Sequence, residues 1–162
     1  MQDGVIFSES IARNMAVDDG NINVERLEKA SKIANIYDYI MELPLKYNTV
    51  IGRDGIGLSQ GQKQRILIAR AVYKDPDFIF LDEATNALDA KNEKIIVENL
   101  NEFYKGRTVI IVAHRLSTVK NADQIIVIDN GKVVEMGNHN SLIQAKSVYY
   151  NLIKNQLELG NN

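Results

Sequence analysis

The sequence predicts an α/β fold in which a helical region precedes alternating strands and helices. From residue 8 to 74, apolar residues recur mostly at helical spacing. From residue 77 to 137, short continuous apolar runs alternate with helical stretches, the order typical of parallel strands joined by helices. Hydrophobic residues make up 45% and charged residues 25% of the 162 residues, which suits a globular domain with a real core.

Composition and charge exclude several classes of protein. The chain has no cysteine and two histidines, so a disulfide scaffold, a thiolate metal site and a His-rich metal cluster are excluded. Its net charge of -2 argues against nucleic acid as a partner. No run approaches the roughly 18 apolar residues of a membrane helix, and residues 1–4 do not resemble a secretory signal. We therefore expect this chain by itself to be soluble and cytoplasmic.

The helical region divides at its turn signals. The helix after residue 36 should stop before Pro44, and Asp75-Pro76 should close the helix that Ser59 opens. The predicted helices are 24–33, 36–43 and 59–73, with a glycine-rich loop at 51–58.

The second region predicts three buried strands and a hairpin. Residues 78–81 are a continuous apolar run, as expected for a strand buried on both faces. Asp129-Asn130-Gly131 is a hairpin turn signal. The other predicted strands are 108–112, 124–128 and 132–135; the predicted helices are 90–104, 116–120 and two short ones within 141–157.

Two adjacent carboxylates follow the first buried strand. Ligands of open α/β sheets bind at the carboxyl ends of strands. Asp82 there could hold a hydrated magnesium ion, and Glu83 could orient or deprotonate a water. The alternative is a strand-end pair of acids that only meets solvent.

The segment Leu58 to Gln62 opens a helix and allows two interpretations. Ser59 and Gln62 have the spacing of an S-x-x-Q capping box. A helix N-terminus with a serine hydroxyl and a glycine at Gly61 is also suited to bind an anion. The two interpretations are compatible.

Other polar positions are less specific. His114 follows a buried strand, but a lone histidine is more often structural than catalytic. His139 is expected in a surface turn. Asp89 and Glu93 could simply cap the next helix and complement its dipole.

Taken together and in order, these segments resemble the nucleotide-binding domain of an ABC transporter over about residues 1–157. Residues 5–11 are similar to the exporter type, in which this region faces the coupling helices of the membrane domain. The family motifs fall on Gln2 (Q-loop), Leu58-Ser59-Gln60-Gly61-Gln62 (signature motif), Phe78 to Asp82 (Walker B) with Glu83 as catalytic carboxylate, Asn86 to Asp89 (D-loop) and His114 (switch histidine).

Three departures from the family pattern matter. Gln60 stands where glycine is usual, and Asn86 stands where serine is commoner. No G-x-x-x-x-G-K-[ST] occurs in the chain, and in the family this Walker A motif precedes the Q-loop. We therefore expect a C-terminal fragment, arising from deliberate truncation, a truncated gene or a misplaced start, that is inactive alone.

The resemblance implies an incomplete P-loop NTPase-like ABC ATPase core with a helical signature subdomain. It implies a Q-loop region at 1–7, a helical subdomain at 8–74, the second half of the α/β core at 75–137 and C-terminal helices at 138–162. The complete protein would bind and hydrolyse ATP with Mg²⁺ in a head-to-tail dimer, docked to a transmembrane domain at the cytoplasmic face of a bacterial plasma membrane. Glu83 and His114 would be catalytic, Gln2 and Asp82 would ligate magnesium, and the nucleotide would be bound through Gln2, Leu58, Ser59, Gln60, Gly61, Gln62, Asp82 and Asp89.

The resemblance is closest to bacterial peptide or bacteriocin exporters, some of which carry a peptidase domain. One alternative is a soluble ABC-type ATPase without membrane domains, although such proteins commonly have Glu where this chain has Gln62. Another is a non-catalytic module that docks on a complete ABC subunit.

Overall fold

The computed structural model describes residues 4–17, 20–82, 90–112 and 119–159. The chain divides into two compact units, Met1–Ile110 and Ile111–Asn162. The helices are α1 (Ile11–Ala16), α2 (Val24–Ile33), α3 (Tyr37–Glu42), α4 (Gln60–Lys74), α5 (Ala90–Tyr104), α6 (His139–Ala145) and α7 (Val148–Leu159), with a 3₁₀ turn at Lys46–Asn48. The strands are β1 (Glu9–Ser10), β2 (Val50–Ile51), β3 (Phe78–Asp82), β4 (Thr108–Val112), β5 (Ile125–Asp129) and β6 (Lys132–Gly137). They pair two by two in chain order.

Helix α4 is the centre of the first unit. It packs against both α1 and α2, and burial of their apolar side chains stabilises this arrangement. The predicted helix 24–33 is confirmed, although Val24, its first residue, is exposed. The buried side chains of the three helices include Ile11, Met15, Leu27, Ala30, Ile66, Ala69 and Val72.

Both ends of α4 have the local chemistry that the sequence predicts. Ser59 is the N-cap, and Asp75 is the C-cap in the left-handed conformation (φ 51°) directly before Pro76. The predicted start and stop of this helix are confirmed to within one residue.

Burial of β3 differs from the prediction. Ile79 and Leu81 are buried, but Phe78 and Phe80 are 66% and 67% exposed. The expectation of burial on both faces is therefore wrong for this chain. A continuous apolar run shows that both faces of a strand are suited to burial. Whether each face is buried depends on other elements that pack against it.

The predicted hairpin of the second unit is confirmed. β5 and β6 pair antiparallel, with Ile126 opposite Met136, and Asn130 and Gly131 both have positive φ, as a tight hairpin turn requires. One face of the hairpin joins α6 and α7 in a core cluster of Ile125, Val127, Leu142, Tyr149 and Ile153.

His139 lies at the start of α6 rather than in a surface turn. Asn138 caps this helix, and the Nδ1 atom of His139 lies 2.9 Å from the hydroxyl of Tyr149. The expectation of a surface turn is wrong because the Asn138 cap makes His139 the first helical residue. The helix predicted at 116–120 falls largely outside the described residues.

Candidate functional site

The N-terminal end of α4 presents the segment Leu58 to Gln62. The backbone N–H of Gln62 donates to Ser59 Oγ at 3.2 Å, and the backbone N–H of Ser59 donates to Gln62 Oε1 at 2.9 Å. This reciprocal pair is a complete capping box. Ser59 and Gln60 are exposed, while Gly61 and Gln62 are half-buried.

This helix end can attract an anion. The partial positive charge of a helix macrodipole lies at its N-terminus, where backbone N–H groups lack intrahelical partners. The first turn of α4 contains no acidic residue that would neutralise this charge. The cap and an anion can share the site, because the cap engages Ser59 Oγ but leaves the neighbouring surface of Gln60 exposed.

Asp82 is the last residue of β3, and it is exposed. Its carboxylate therefore stands at the carboxyl end of the strand, where the sequence predicts it. The other predicted site residues, Gln2, Glu83, Asp89 and His114, lie outside the described residues. Within the described ranges, no three His, Asp or Glu side chains cluster as a metal site.

A groove of about 380 Å³ lies beside α1 in the first unit. Its apolar wall includes Phe7 and Val17, and charged side chains come from Glu9 and Arg13. The complete set of lining residues is Phe7, Glu9, Arg13, Ala16, Val17, Gly20 and Ile22.

The wall of this groove is held by Asn14, a fully buried residue of α1. The Phe7 N–H donates to Asn14 Oδ1 at 2.8 Å. In return, Asn14 Nδ2 donates to the carbonyl oxygens of Phe7, Glu9 and Ser10 at 3.0–3.2 Å. One amide thus fixes the backbone over residues 7–10.

Arg70 of α4 reaches the same segment. Its Nε donates to Asn14 O at 2.7 Å, its Nη2 donates to Val5 O at 2.9 Å, and its Cζ lies 5.3 Å from the Phe7 ring centroid. Burial lowers the pKa of the Arg70 guanidinium. Lys74, one turn later, donates to Val17 O.

Sequence reasoning missed Asn14 and Arg70. The contact between them joins residues 56 positions apart, which no local periodicity reports. The available signal was a charged residue within the apolar stretch Ile66 to Tyr73, where an arginine needs internal acceptors.

Among the residues that the structure describes, we find no helix that could span a lipid bilayer.

The chain is similar in sequence to a large number of known proteins. The family model described as "ABC transporter" matches residues 2–86. The ATP-dependent lipid A-core flippase of Saccharophagus degradans is 49% identical over 155 residues, which are 96% of this chain and 26% of that protein. The leukotoxin translocation ATP-binding protein LktB of Mannheimia haemolytica is 48% identical over 159 residues, 98% of this chain and 22% of that protein.

A solved structure has the same fold. A bacterial Atm1-family ABC exporter with ATP bound matches with a TM-score of 0.87 and 38% identity, over 96% of this chain and 27% of that chain. The chain thus spans about a quarter of the length of the proteins it matches. The sequence match and the shared fold together show that the chain belongs to the ABC transporter family, as part of the nucleotide-binding domain of an exporter.

Proposed function

We propose that this chain helps to bind and hydrolyse ATP and that the complete protein uses this reaction to power export across a membrane. The observation that carries the proposal is the capped, acid-free N-terminus of α4, which displays the family's signature segment on an exposed helix end. Membership of the ABC transporter family supports ATP hydrolysis as the reaction, and the positive electrostatic potential of the helix end supports a phosphate group as the ligand.

The signature segment acts on ATP held by a second nucleotide-binding domain. Ser59 Oγ and the backbone N–H groups near Gly61 donate to the γ-phosphate when the two domains close head to tail. Because phosphoryl transfer depends on positioning and charge stabilisation, this contact both assembles the dimer and favours the transition state.

The remaining site residues act on the ATP molecule that is bound by this chain's own nucleotide-binding domain. Magnesium, when bound, neutralises charge on the phosphate oxygens. The exposed carboxylate of Asp82 is the donor type that this ion prefers, and Gln2 would complete its ligands from this chain. Glu83 polarises the attacking water and His114 contacts the γ-phosphate, while Asp89 contributes from the D-loop to nucleotide binding.

The groove beside α1 is the docking surface for the membrane domain. Its occupant is a short cytoplasmic helix of that domain, with an apolar side chain against Phe7 and Val17 and polar groups near Glu9 and Arg13. The mixed lining suits an amphipathic helix. With a membrane-domain helix docked there, the nucleotide-binding domain would lie at the cytoplasmic face of a bacterial plasma membrane.

For the cargo we propose a peptide or bacteriocin. The similarity to the leukotoxin translocation protein supports this class. The lipid A-core flippase is equally similar, so a transport assay needs both a labelled peptide arm and a labelled lipid arm. Transport of the lipid alone would replace the peptide proposal.

The decisive experiment removes the general base from the complete transporter. Glu83→Gln keeps the size and hydrogen bonding of the side chain, and loss of a positioned base typically costs about 10²- to 10⁴-fold in rate. ATP turnover should fall by that factor while ATP binding remains. Glu98→Gln makes the same change at an exposed glutamate of α5 and should leave turnover unchanged. Parental turnover by Glu83→Gln would refute the assignment of the catalytic carboxylate.

A further inference from the structure

Helix α4 contacts two functional surfaces at different points along its length. Its first turn carries the signature segment, and Arg70 and Lys74, near its last turns, reach the groove segment, defined here as residues 5–17. The backbone between them is one continuous helix with no proline and no glycine after Gly61. Such a helix moves as a unit.

The Arg70 contacts are directional. A guanidinium is a rigid fork of donors. Here its Nε and Nη2 atoms engage two separate carbonyl oxygens, of Asn14 and Val5, while its Cζ lies over the Phe7 ring. Asn14 in turn holds Phe7 through both its backbone N–H and its carbonyl oxygen. A displacement of the groove segment relative to α4 would break several of these bonds at once.

The chemistry of Arg70 favours a positional role. Among the described residues it forms no ion pair; its acceptors are neutral oxygens. Half-burying a charge without a countercharge is a poor means of stabilisation. The guanidinium instead satisfies the carbonyl oxygens of Asn14 and Val5, so the arginine is best explained by the geometry that it imposes.

We infer that Arg70 is a positioning residue that couples the groove beside α1 to the phosphate-binding end of α4. The inference rests on the proposed function, which places a membrane-domain helix in the groove and ATP at the helix end. When the ATP-bound dimer closes at Ser59, the Arg70 contacts transmit the movement of α4 to the groove segment. Because coupling between two sites is reciprocal, occupation of the groove changes the position of Ser59 through the same contacts.

Hydrogen exchange in the complete transporter tests this coupling. The background carries Glu83→Gln so that bound ATP persists. In that parent, ATP and Mg²⁺ should slow exchange by at least about fivefold, the lower range of couplings between sites, in both residues 59–66 and residues 5–17. In Arg70→Met, ATP should still slow exchange in 59–66, but the effect on 5–17 should fall below twofold (about 0.4 kcal/mol).

Arg26→Met is the matched control. Arg26 also stacks on an aromatic ring of α4, with its Cζ 5.0 Å from the Tyr73 centroid, but it extends from α2. The ATP response of both segments should survive this change. If Arg70→Met fails to fold, Arg70→Lys replaces it, because a lysine keeps the charge and stem but cannot donate to two fixed carbonyls as a fork.

The outcomes separate the two proposals. If ATP does not slow residues 59–66 in the parent, the proposed function fails and the coupling fails with it. If ATP slows 59–66 in every protein and also slows 5–17 equally in parent and Arg70 variant, the function stands and the role of Arg70 is refuted. A parent in which ATP slows only 59–66 likewise refutes the coupling.

Discussion

At the scale of a residue, the Ser59 hydroxyl combines a structural contact with a proposed chemical one. Its oxygen accepts from the Gln62 N–H, and its hydrogen remains available to donate to a phosphate. Replacement of Ser59 therefore cannot separate folding from function. Gly61 lies in the first turn of α4 and takes no part in the capping box, so a substitution there can separate folding from function.

Gly61→Glu should leave the complete subunit folded but unable to form the closed dimer. A carboxylate in the first turn complements the macrodipole, yet it places negative charge against the partner's γ-phosphate. The measurement is ATP-driven dimerisation in the Glu83→Gln background, with and without Gly61→Glu. Ser59→Ala is the comparison, and its cap loss should lower the free energy of unfolding by about 1 kcal/mol. Equal dimerisation with and without Gly61→Glu would leave the motif as a helix cap only.

At the scale of secondary-structure elements, an ion pair ties the end of α4 to the connection between α5 and β4. Arg107 Nη2 lies 2.5 Å from Asp75 Oδ1. Arg107 also donates to Phe103 O, and its Cζ lies 4.2 Å from the Phe103 ring centroid. The pair therefore holds the C-cap of α4 against the start of β4.

A double-mutant cycle of Asp75→Asn and Arg107→Gln should show a coupling of about 0.5–1 kcal/mol in urea unfolding, reduced in 1 M salt. The side chains are only 49% and 21% exposed, so water screens the pair incompletely. The Glu102–Lys105 pair is the control: its side chains are 74% and 70% exposed, and its coupling should be smaller. Equal coupling energies in the two cycles would show that the Asp75–Arg107 pair does not stabilise the contact between the end of α4 and the start of β4.

The elements differ in how well local sequence determines them. The bounds of α4 follow from Ser59, Gln62 and Pro76, because caps and proline act within a few residues. The pairing of β1 with β2 was not predicted, since each strand has two residues and no periodicity. The Asn14–Arg70 contact depends on tertiary packing. The capping box of Ser59 and Gln62 was predicted because these residue types act locally, whereas the groove was not.

At the scale of the whole molecule, exposed apolar strand faces are a shared property of the two units. In the first unit, Phe78 and Phe80 project from one face of β3. In the second, Ile126 and Met136, paired across the hairpin, are both exposed. Contiguous exposed apolar side chains on strands favour association with other chains.

The 162-residue chain alone should self-associate, as light scattering at rising concentration would show. Phe80→Thr should reduce association, because it removes an exposed aromatic side chain and retains a β-branched residue suited to a strand. Val24→Thr removes an exposed apolar side chain from the start of a helix and should change nothing. A chain that stays monomeric, or variants that behave alike, would contradict this explanation.

The length of α4 has a mechanical consequence. Fifteen helical residues span about 22 Å. A lever of that length, pivoting at one end by about 10°, displaces its other end by about 4 Å, more than the length of a hydrogen bond. A small angular adjustment where α4 meets α1 is therefore sufficient to make or break the proposed contact of Ser59 with a phosphate, without any change inside the helix itself.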